Sequence, residues 1–344
     1  MGIRELQAQD KVAWDAYVTR ASVANPYHLS NWQEVMSETL HLRTHFLWAE
    51  DNGRAVGVLP LVRIHSRLAG HYLTSLPGAV CADDEEVAQA LIARAVELVK
   101  AVGAKYLILR DSLRKWDVPE LVTQDHHCTL VVPLSDDPDE VLKSANRRVR
   151  QSVNKAARAG IEVEIGREQL DDFYPIYAQA MRDRGTPTQG RRFFRSVFSQ
   201  FPDNYTLLVM RRNGQILGGG FVAGFENTLF ATWGGMLREF YNLRPNYLLY
   251  WETLKYACEH GYKWLDLGRS TYDSGAFQFK KQWCAEAQPL YQQAFLNGAA
   301  ELPVVGDERE GDRSYRWFVK VWERLPLPVT EVAGPWLRKQ VPFG

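Results

Sequence analysis

A repeat at a spacing of about 160 residues is the feature that most constrains the fold of this 344-residue chain. In the first copy Asn52-Gly53 separates two apolar runs, and in the second copy Asn213-Gly214 does the same. An Asn-Gly pair readily adopts the positive φ angles of a tight turn. Both copies therefore predict a β-hairpin.

Each copy continues with a helical pattern, a glycine and a short apolar strand. These segments are 87–102 with strand 105–109 in the first copy, and 247–260 with strand 263–267 in the second. A glycine just past a helix supplies the left-handed residue that closes it. The glycines that follow the two helical segments are Gly103 and Gly261. The distance from the hairpin glycine to this second glycine is 50 residues in the first copy (Gly53 to Gly103) and 47 in the second (Gly214 to Gly261). The shared order predicts an α/β (α+β) chain made of two related domains.

Chain length leads to the same division, because a single core rarely grows beyond about 250–300 residues. Hydrophobic residues make up 46% of the chain, which is enough for two cores. We predict a first domain over 1–135, a second domain over 136–300, and a C-terminal extension over 301–344.

The 41 basic and 41 acidic residues cancel, so a nucleic-acid or membrane role needs a local patch of charge. The first residues lack the apolar core of a signal peptide, and no apolar run reaches the ~20 residues needed to span a bilayer. We expect a soluble cytoplasmic protein, with the inner face of the membrane as an alternative location.

The four cysteines are widely separated, and none belongs to a Cys-x-x-Cys pair. They are Cys81, Cys128, Cys258 and Cys284. This pattern argues against structural zinc and against a disulfide framework. Four buried thiols are favoured, and a catalytic cysteine stays an alternative.

Three segments of the second half carry distinctive residue patterns. The first is a predicted basic helix over 138–159, which ends at Gly160 before a strand. The second is 241–251, rich in tyrosine and leucine. The third is the strand 263–267, with Asp266 and then Gly268 at its end, followed by a Phe-Lys pair at 279–280.

On these residues the chain resembles the FemAB family of aminoacyl transferases in the GNAT superfamily. More narrowly, it is similar to FemAB-like proteins associated with exosortase (PEP-CTERM) and exopolysaccharide systems. The resemblance implies two tandem GNAT-type acyltransferase domains, each a mixed central sheet flanked by helices. It also implies transfer of an aminoacyl or acyl group to an amine of a peptidoglycan, exopolysaccharide or other cell-envelope glycan precursor. No permanently bound cofactor and no metal are implied.

The segment before the 247–260 helix bears on the donor. GNAT proteins that bind acetyl-CoA place a glycine-rich loop here, whose backbone N–H groups hold the pyrophosphate. Residues 237–246 contain no glycine, and Pro245 removes one N–H donor. This departure favours aminoacyl-tRNA as co-substrate and keeps acyl-CoA-dependent N-acylation as the alternative. A non-catalytic GNAT binding module and a nucleic-acid-binding protein are the competing classes.

Lys280 and Asp266 are the predicted catalytic residues. The resemblance places a functional lysine at Lys280, whose ammonium would stabilise negative charge that develops in the transition state. The alternative is a solvated lysine, as we expect for Lys281. Asp266 lies between two leucines in a strand, where a carboxylate is costly to bury unless it is paired or functional. It would accept the amine proton, or form a structural salt bridge with Arg269.

Four further residues are predicted to bind substrate: Arg244, Arg269, Tyr272 and Trp233. Arg244 offers a planar fork for a phosphate. Arg269 and Tyr272 follow the 263–267 strand, at an end where open α/β sheets commonly carry sites. Trp233 would stack on a sugar or a base, although core packing is the favoured alternative.

The predicted basic helix carries Arg147, Arg150, Asn154 and Arg158 near one face. No acidic residue interrupts 143–160. Arg147 and Arg150 are therefore predicted to bind the diphosphate of a lipid-linked precursor or the backbone of tRNA, with a solvated helix face as the alternative. We expect no stable DNA binding.

The C-terminal extension contains a predicted amphipathic helix over 313–325, ended by prolines. Its apolar positions are Phe318, Val321, Trp322 and Leu325. We expect it to dock on the body of the protein. Peripheral contact with a membrane is the alternative, because Arg316, Lys320 and Arg324 flank two tryptophans.

Overall fold

The computed structural model describes residues 1–67, 69–299 and 313–340, with side chains from 316 onward in the last range. The strands within these residues are β1 (Gly2–Glu5), β2 (Arg43–Asp51), β3 (Arg54–Ser66), β4 (Gly70–Ser75), β5 (Cys81–Ala82), β6 (Tyr106–Ser112), β7 (Leu121–Pro133), β8 (Glu162–Ile165), β9 (Tyr205–Arg212), β10 (Gln215–Phe225), β11 (Thr228–Met236), β12 (Trp264–Thr271) and β13 (Glu286–Leu296). The α-helices are α1 (Lys11–Arg20), α2 (Trp32–Leu40), α3 (Glu85–Ala101), α4 (Pro138–Ser144), α5 (Arg147–Arg158), α6 (Leu170–Arg182), α7 (Arg191–Gln200), α8 (Pro245–Glu259), α9 (Gly275–Lys281), α10 (Arg313–Trp322) and α11 (Leu327–Gln340).

The chain forms two compact units. Of the described residues, the first unit contains 1–127, 289–299 and 336–340, and the second contains 128–288 and 313–335. The predicted domain limits lie at 135 and 300. Residues 289–299 join the first unit because β13 pairs with β6, which has the register Tyr291↔Ser112.

The first unit is built on strands in the order β1-β2-β3-β4-β6-β13-β7. The predicted hairpin is present, with Asn52 at φ 49° and Gly53 at φ 77° between β2 and β3. β4 and β6 pair in parallel, whereas β2, β3 and β4 pair antiparallel, so the sheet is mixed. α3 covers one face, and its Leu91 and Ile92 belong to the same buried cluster as Leu59 of β3.

The second unit repeats this plan with strands in the order β7-β12-β11-β10-β9-β8. Asn213 at φ 50° and Gly214 at φ 79° form its hairpin turn between β9 and β10. β12 pairs in parallel with β11, whereas β8 to β11 pair antiparallel. α5 and α8 cover one face, where Val153 and Leu254 share a core with Leu265. The predicted α/β class, with mixed β-sheet flanked by helices, is confirmed, although the strands of both units belong to a single 13-stranded sheet.

The predicted basic helix over 138–159 is two helices, α4 and α5, so the single long helix was wrong. Ala145 adopts an extended backbone with ψ 157°, and Asn146 begins a new helix. The Asn146 side chain accepts a hydrogen bond from the Arg148 N–H at 2.9 Å. An asparagine that satisfies a free N–H at a helix start favours this break over a continuous helix.

The predicted amphipathic helix over 313–325 is α10, which ends before Pro326 as expected, but a second helix begins directly after that proline. α10 ends at Trp322, which is 3% exposed, and α11 begins at Leu327. Pro328 lies in the first turn of α11, where its missing N–H leaves no hydrogen bond unmade. No helix in the described ranges is long and apolar enough to cross a membrane.

One of the four thiols departs from the expectation of burial. Cys81, Cys128 and Cys258 are buried, but Cys284 is exposed. Cys284 adopts the left-handed conformation at φ 57° in the turn between α9 and β13.

Candidate active site

The parallel strands β11 and β12 separate part-way along their length. Their pairing runs as far as Phe230↔Asp266, yet β11 continues to Met236 and β12 continues to Thr271. Beyond Asp266 the described parts of the two strands are not paired with each other. The separation leaves strand edges with N–H and C=O groups that can receive an extended or polar ligand.

Lys280 of α9 binds the strand at this point. Only 7% of the residue is exposed, and its Nζ donates to the carbonyl oxygens of Gly268 at 2.8 Å and Arg269 at 3.0 Å. These contacts use two of the three N–H bonds of an ammonium group. The alternative of a solvated lysine therefore does not hold for Lys280, whereas Lys281 is exposed.

Burial lowers the pKa of Lys280 to about 8, because an ammonium group loses hydration inside the protein. The negative charge of Asp266 acts in the opposite direction and favours the charged lysine. Lys280 is thus a cation at neutral pH that lies much closer to losing its proton than a lysine in water.

Asp266 is held by two hydrogen bonds and remains partly exposed. Its Oδ1 accepts from Thr129 Oγ1 and from the N–H of Gly268 at 2.7 Å. Burial of the carboxyl group raises the pKa of Asp266, and the two hydrogen bonds and Lys280 oppose that shift. A carboxylate with a raised pKa beside a lysine is suited to accept a proton from an amine.

Gly268 allows the backbone turn that brings Asp266 and Lys280 to the same peptide units. Its φ of 77° lies in the left-handed region, and a Cβ there would approach the carbonyl oxygen of Ala231 to 3.0 Å. The turn at Gly268 directs its N–H to Asp266 while its carbonyl oxygen meets Lys280. Glycine tolerates this backbone without the cost that a side chain would add.

Two hydroxyl groups that sequence analysis did not select belong to the same cluster. Thr129 donates to Asp266, and Ser270 Oγ is buried without a hydrogen-bond partner in the described chain. The sequence feature that could have identified Thr129 is its position between the apolar residues Cys128 and Leu130 in a strand. That pattern is common for hydroxyls with no role in catalysis, so it did not stand out.

Cys128 lies next to this cluster, but its chemistry does not favour a nucleophile. Its Sγ contacts the carbonyl oxygen of Ser270 at 3.7 Å. Burial raises the pKa of the Cys128 thiol, although Lys280 acts in the other direction. Because the thiolate is the reactive form, the structure offers no support for the alternative of a catalytic cysteine here.

Two of the predicted substrate-binding residues, Arg269 and Tyr272, follow Asp266 along β12 and the turn after it, and a third, Arg244, precedes α8. Arg269 is half-buried and supplies one of the carbonyls that bind Lys280. Tyr272 is 39% exposed, and its ring lies 5.7 Å from that of Phe277. Arg244 is exposed at the start of α8, with φ 63°.

Trp233 lies on β11 beyond the separation and packs in an aromatic cluster. Its half-buried ring contacts those of Phe193, Phe194, Tyr205 and Phe221, with centroids between 5.6 and 6.0 Å away. Aromatic pairs at these distances and angles stabilise a core. The geometry favours the core-packing alternative for Trp233.

Arg147 and Arg150 serve different purposes although they are adjacent on one face of α5. Arg147 is exposed at the start of the helix. Arg150 Nη1 donates to the carbonyl oxygens of Lys143, at 2.8 Å, and of Ala145, so it closes the end of α4. The N–H of Asn146 donates to Gln282 O at 2.9 Å, which attaches the start of α5 directly after α9.

The arrangement contains a buried cation, a carboxylate with raised pKa and an open strand edge. No group of His, Cys, Asp and Glu in the described ranges could hold a metal ion. The chemistry available from these residues is proton transfer combined with stabilisation of an oxyanion, which is what acyl transfer to an amine requires.

Residues 143–281 match the family described as Acetyltransferase (GNAT) domain. The chain carries a GNAT acyltransferase domain. The matched range contains both Asp266 and Lys280. No curated protein sequence matches the chain.

Solved structures share the fold over nearly the whole chain. FemX is 17% identical, with a TM-score of 0.67 over 86% of this chain and 98% of that one. The C-terminal domain (DUF2156) of a putative lysylphosphatidylglycerol synthetase from Agrobacterium fabrum is 15% identical, with a TM-score of 0.56 over 84% and 93%. A tandem GNAT protein from the clavulanic acid biosynthesis pathway is 13% identical, with a TM-score of 0.55 over 87% and 99%.

At these identities the likeness concerns the fold. The predicted tandem GNAT-type architecture and the FemAB-like resemblance are confirmed at that level. The matched acetyltransferase domain confirms the predicted class of enzyme, an acyltransferase.

Proposed function

We propose that this GNAT chain transfers an aminoacyl group from charged tRNA to an amine of a peptidoglycan or exopolysaccharide precursor. The observation that carries the proposal is the buried ammonium of Lys280, held beside Asp266 where β11 and β12 separate. The fold shared with FemX and with a putative lysylphosphatidylglycerol synthetase domain supports an aminoacyl donor.

In the proposed reaction the acceptor amine attacks the carbonyl carbon of the aminoacyl ester. Asp266 takes the proton from the attacking nitrogen, and Lys280 donates its third N–H to the tetrahedral oxyanion. The ester C–O bond then breaks, and the proton held by Asp266 goes to the departing ribose oxygen. An amide replaces an ester, and both residues return to their starting states.

The start of α8 supports tRNA over CoA as the donor. Pro245 is the first residue of the helix, and Arg244 before it has φ 63°. The absence of glycine from 237–246 gives the loop fewer accessible left-handed positions for a cradle of N–H groups. Arg244 and Arg147, both exposed, are the proposed contacts for phosphates of the donor or of a lipid-linked acceptor.

The test is a transfer assay with purified protein and amine-bearing glycan precursors. Charged tRNA and short acyl-CoA serve as separate donor pools, and mass spectrometry detects the added group. Lys280→Ala is expected to lose about 10²–10³ in kcat, the usual cost of removing an oxyanion donor. Lys281→Ala is the matched control, because it removes the neighbouring exposed lysine of the same helix.

Product from charged tRNA that disappears in Lys280→Ala and persists in Lys281→Ala supports the proposal. Product from acyl-CoA alone would replace the donor and favour N-acylation of an amino sugar. Equal activity of both variants would remove Lys280 from the mechanism.

A further inference from the structure

The two C-terminal helices expose large apolar side chains that the core does not use. On α10, Trp317 is 68% exposed and Val321 is 38% exposed, and the two share a face at i and i+4. On α11, Val329 is 47% exposed and Val332 is 80% exposed, at i and i+3. We call these four side chains the apolar ridge. Isolated exposed apolar residues are ordinary, but four on two short helices mark a contact surface.

The apolar ridge is not the core-facing side of these helices, because that side is already occupied. Trp322 is 3% exposed and lies against Gly334 of α11, within 3.7 Å of a Cβ built there. Val319 packs on Gly185 so closely that a Cβ at that glycine would overlap its side chain. Each helix therefore has one buried side and a separate apolar side that faces solvent.

Basic residues line the exposed side of α10. Arg316 and Lys320 are exposed on α10 at i and i+4, and Arg324 is exposed in the turn that follows the helix. None of the three forms an ion pair in the described part of the chain. Exposed cations beside exposed tryptophan and valine are typical of a helix that lies in the interface of an anionic membrane.

We propose that the α10–α11 hairpin docks the protein on an anionic lipid bilayer. The apolar ridge enters the boundary between headgroups and acyl chains, and the three cations meet the lipid phosphates. The inference rests on the proposed function in one respect, since a lipid-linked acceptor would be presented at such a surface. The surface itself consists of residues outside the candidate active site.

A second copy of the chain fits this surface poorly. In a two-fold symmetric contact the same patch meets itself, so the cation row of one copy would approach that of the other. Like charges brought together and desolvated oppose association. An anionic bilayer supplies the missing negative charge and also accepts the apolar ridge.

The experiment is co-sedimentation of the full chain with phosphatidylcholine vesicles, with and without phosphatidylglycerol. Binding is expected only with phosphatidylglycerol, and weaker at high salt. The triple variant Arg316→Gln, Lys320→Gln, Arg324→Gln is expected to bind at least about tenfold more weakly. The double variant Trp317→Ser, Val332→Ser is expected to bind about tenfold more weakly as well.

Matched controls come from the first unit, and all variants are checked for unchanged thermal unfolding. Arg43→Gln, Arg54→Gln, Lys115→Gln removes three exposed cations, and Val12→Ser removes an apolar residue that is 83% exposed. Both controls are expected to bind vesicles like the wild type.

Several results would overturn the proposal: no binding to either vesicle, equal binding to both, or hairpin variants that bind like the controls. A dimer in solution that Trp317→Ser dissociates, together with absent vesicle binding, would assign the surface to a second copy. Vesicle binding requires no transfer, and transfer to a water-soluble acceptor requires no vesicle. Failure of docking is therefore distinguishable from failure of the proposed function.

Discussion

The two units place different residues at the same point of a repeated strand. Counting from the glycine that ends the preceding helix, Ile108 in the first unit corresponds to Asp266 in the second. Ile108 is 3% exposed and apolar, whereas Asp266 is a carboxylate with a raised pKa. One architecture thus carries a packing residue in one unit and a candidate catalytic residue in the other.

The neighbouring backbone differs in the same sense. In the first unit the N–H of Arg110 donates to Ser75 Oγ at 2.8 Å, and its carbonyl oxygen accepts from Gly78 at 2.9 Å. In the second unit the carbonyl oxygens of Gly268 and Arg269 bind Lys280. In the first unit, the backbone N–H and C=O of this strand end are hydrogen-bonded to β4 and to the loop after it. In the second unit the titratable side chain of Lys280 binds the strand end, and this difference supports the proposal that the chemistry lies in the second unit.

The same substitution at the matched positions should separate catalysis from packing. Asp266→Asn keeps the side-chain shape but removes the proton acceptor, so we expect kcat to fall by about 10²–10⁴ with little loss of stability. Ile108→Asn buries an amide in an apolar site and should destabilise the protein by about 3 kcal/mol or more. Kinetics and chemical denaturation on both variants check this. A stable Ile108→Asn protein would show that the first unit tolerates a polar group at this point.

The pH dependence of stability tests the buried charge of Lys280. Its folded pKa of about 8 lies below the ordinary value of 10.5, so above about pH 8 the unfolded state binds more protons than the folded state. Wild type should therefore gain stability relative to Lys280→Met as the pH rises from about 8 toward 10.5. Denaturation curves across this range measure the difference. Lys281→Met should show no such gain, and a gain in both variants would contradict the assignment.

Two glycines with the same backbone angle sharpen the argument about the strand turn. Gly268 and Gly261 have φ of 77° and 76°, but only Gly268 has an atom within 4 Å of a built Cβ. Each change to Ala should cost about 1–2 kcal/mol from the left-handed backbone. Gly268→Ala should additionally lower kcat, because its carbonyl oxygen holds Lys280. Equal kcat in the two variants would mean that the turn serves the backbone alone.

Helix caps give the smallest expected contrast. Asp84 caps α3 in the first unit by accepting from Val87 N–H, and Asn146 caps α5 in the second. Each change to Ala should cost about 1 kcal/mol of stability, measured by denaturation. Only Asn146→Ala should also alter transfer kinetics, because loss of the side-chain cap would loosen the start of α5, whose backbone N–H at position 146 donates to Gln282 next to α9. Altered kinetics in Asp84→Ala would weaken this contrast.

Local signals predicted most of the fold. The Asn-Gly pairs determined both hairpins, and Gly103 and Gly261 adopt positive φ directly after α3 and α8 as expected. The position of Lys280 came from resemblance, and its two backbone partners could not be predicted. They depend on how α9 packs on β12, which is a tertiary contact between residues more than ten positions apart.

The errors have equally local causes. The break before Asn146 depends on a cap that competes with continued helix, and helical periodicity alone does not reveal it. Arg150 matched a basic face in the pattern but is used to close α4. α11 was missed because Pro326 and Pro328 suggested an end to helical structure, although a proline in the first turn of a helix is well tolerated.

The first unit includes β13, which is supplied late in the chain and completes the edge of β6. During synthesis, β6 leaves the ribosome long before its neighbour exists, so its hydrogen-bonding edge stays open while the whole of 128–288 is made. The strands of the second unit, β7 to β12, all precede β13 in the chain, so its sheet can form before β13 is made. We therefore expect the sheet of the amino-terminal unit to be completed only after β13 has been made, and a chain cut short before β13 to expose the unpaired edge of β6 and to aggregate.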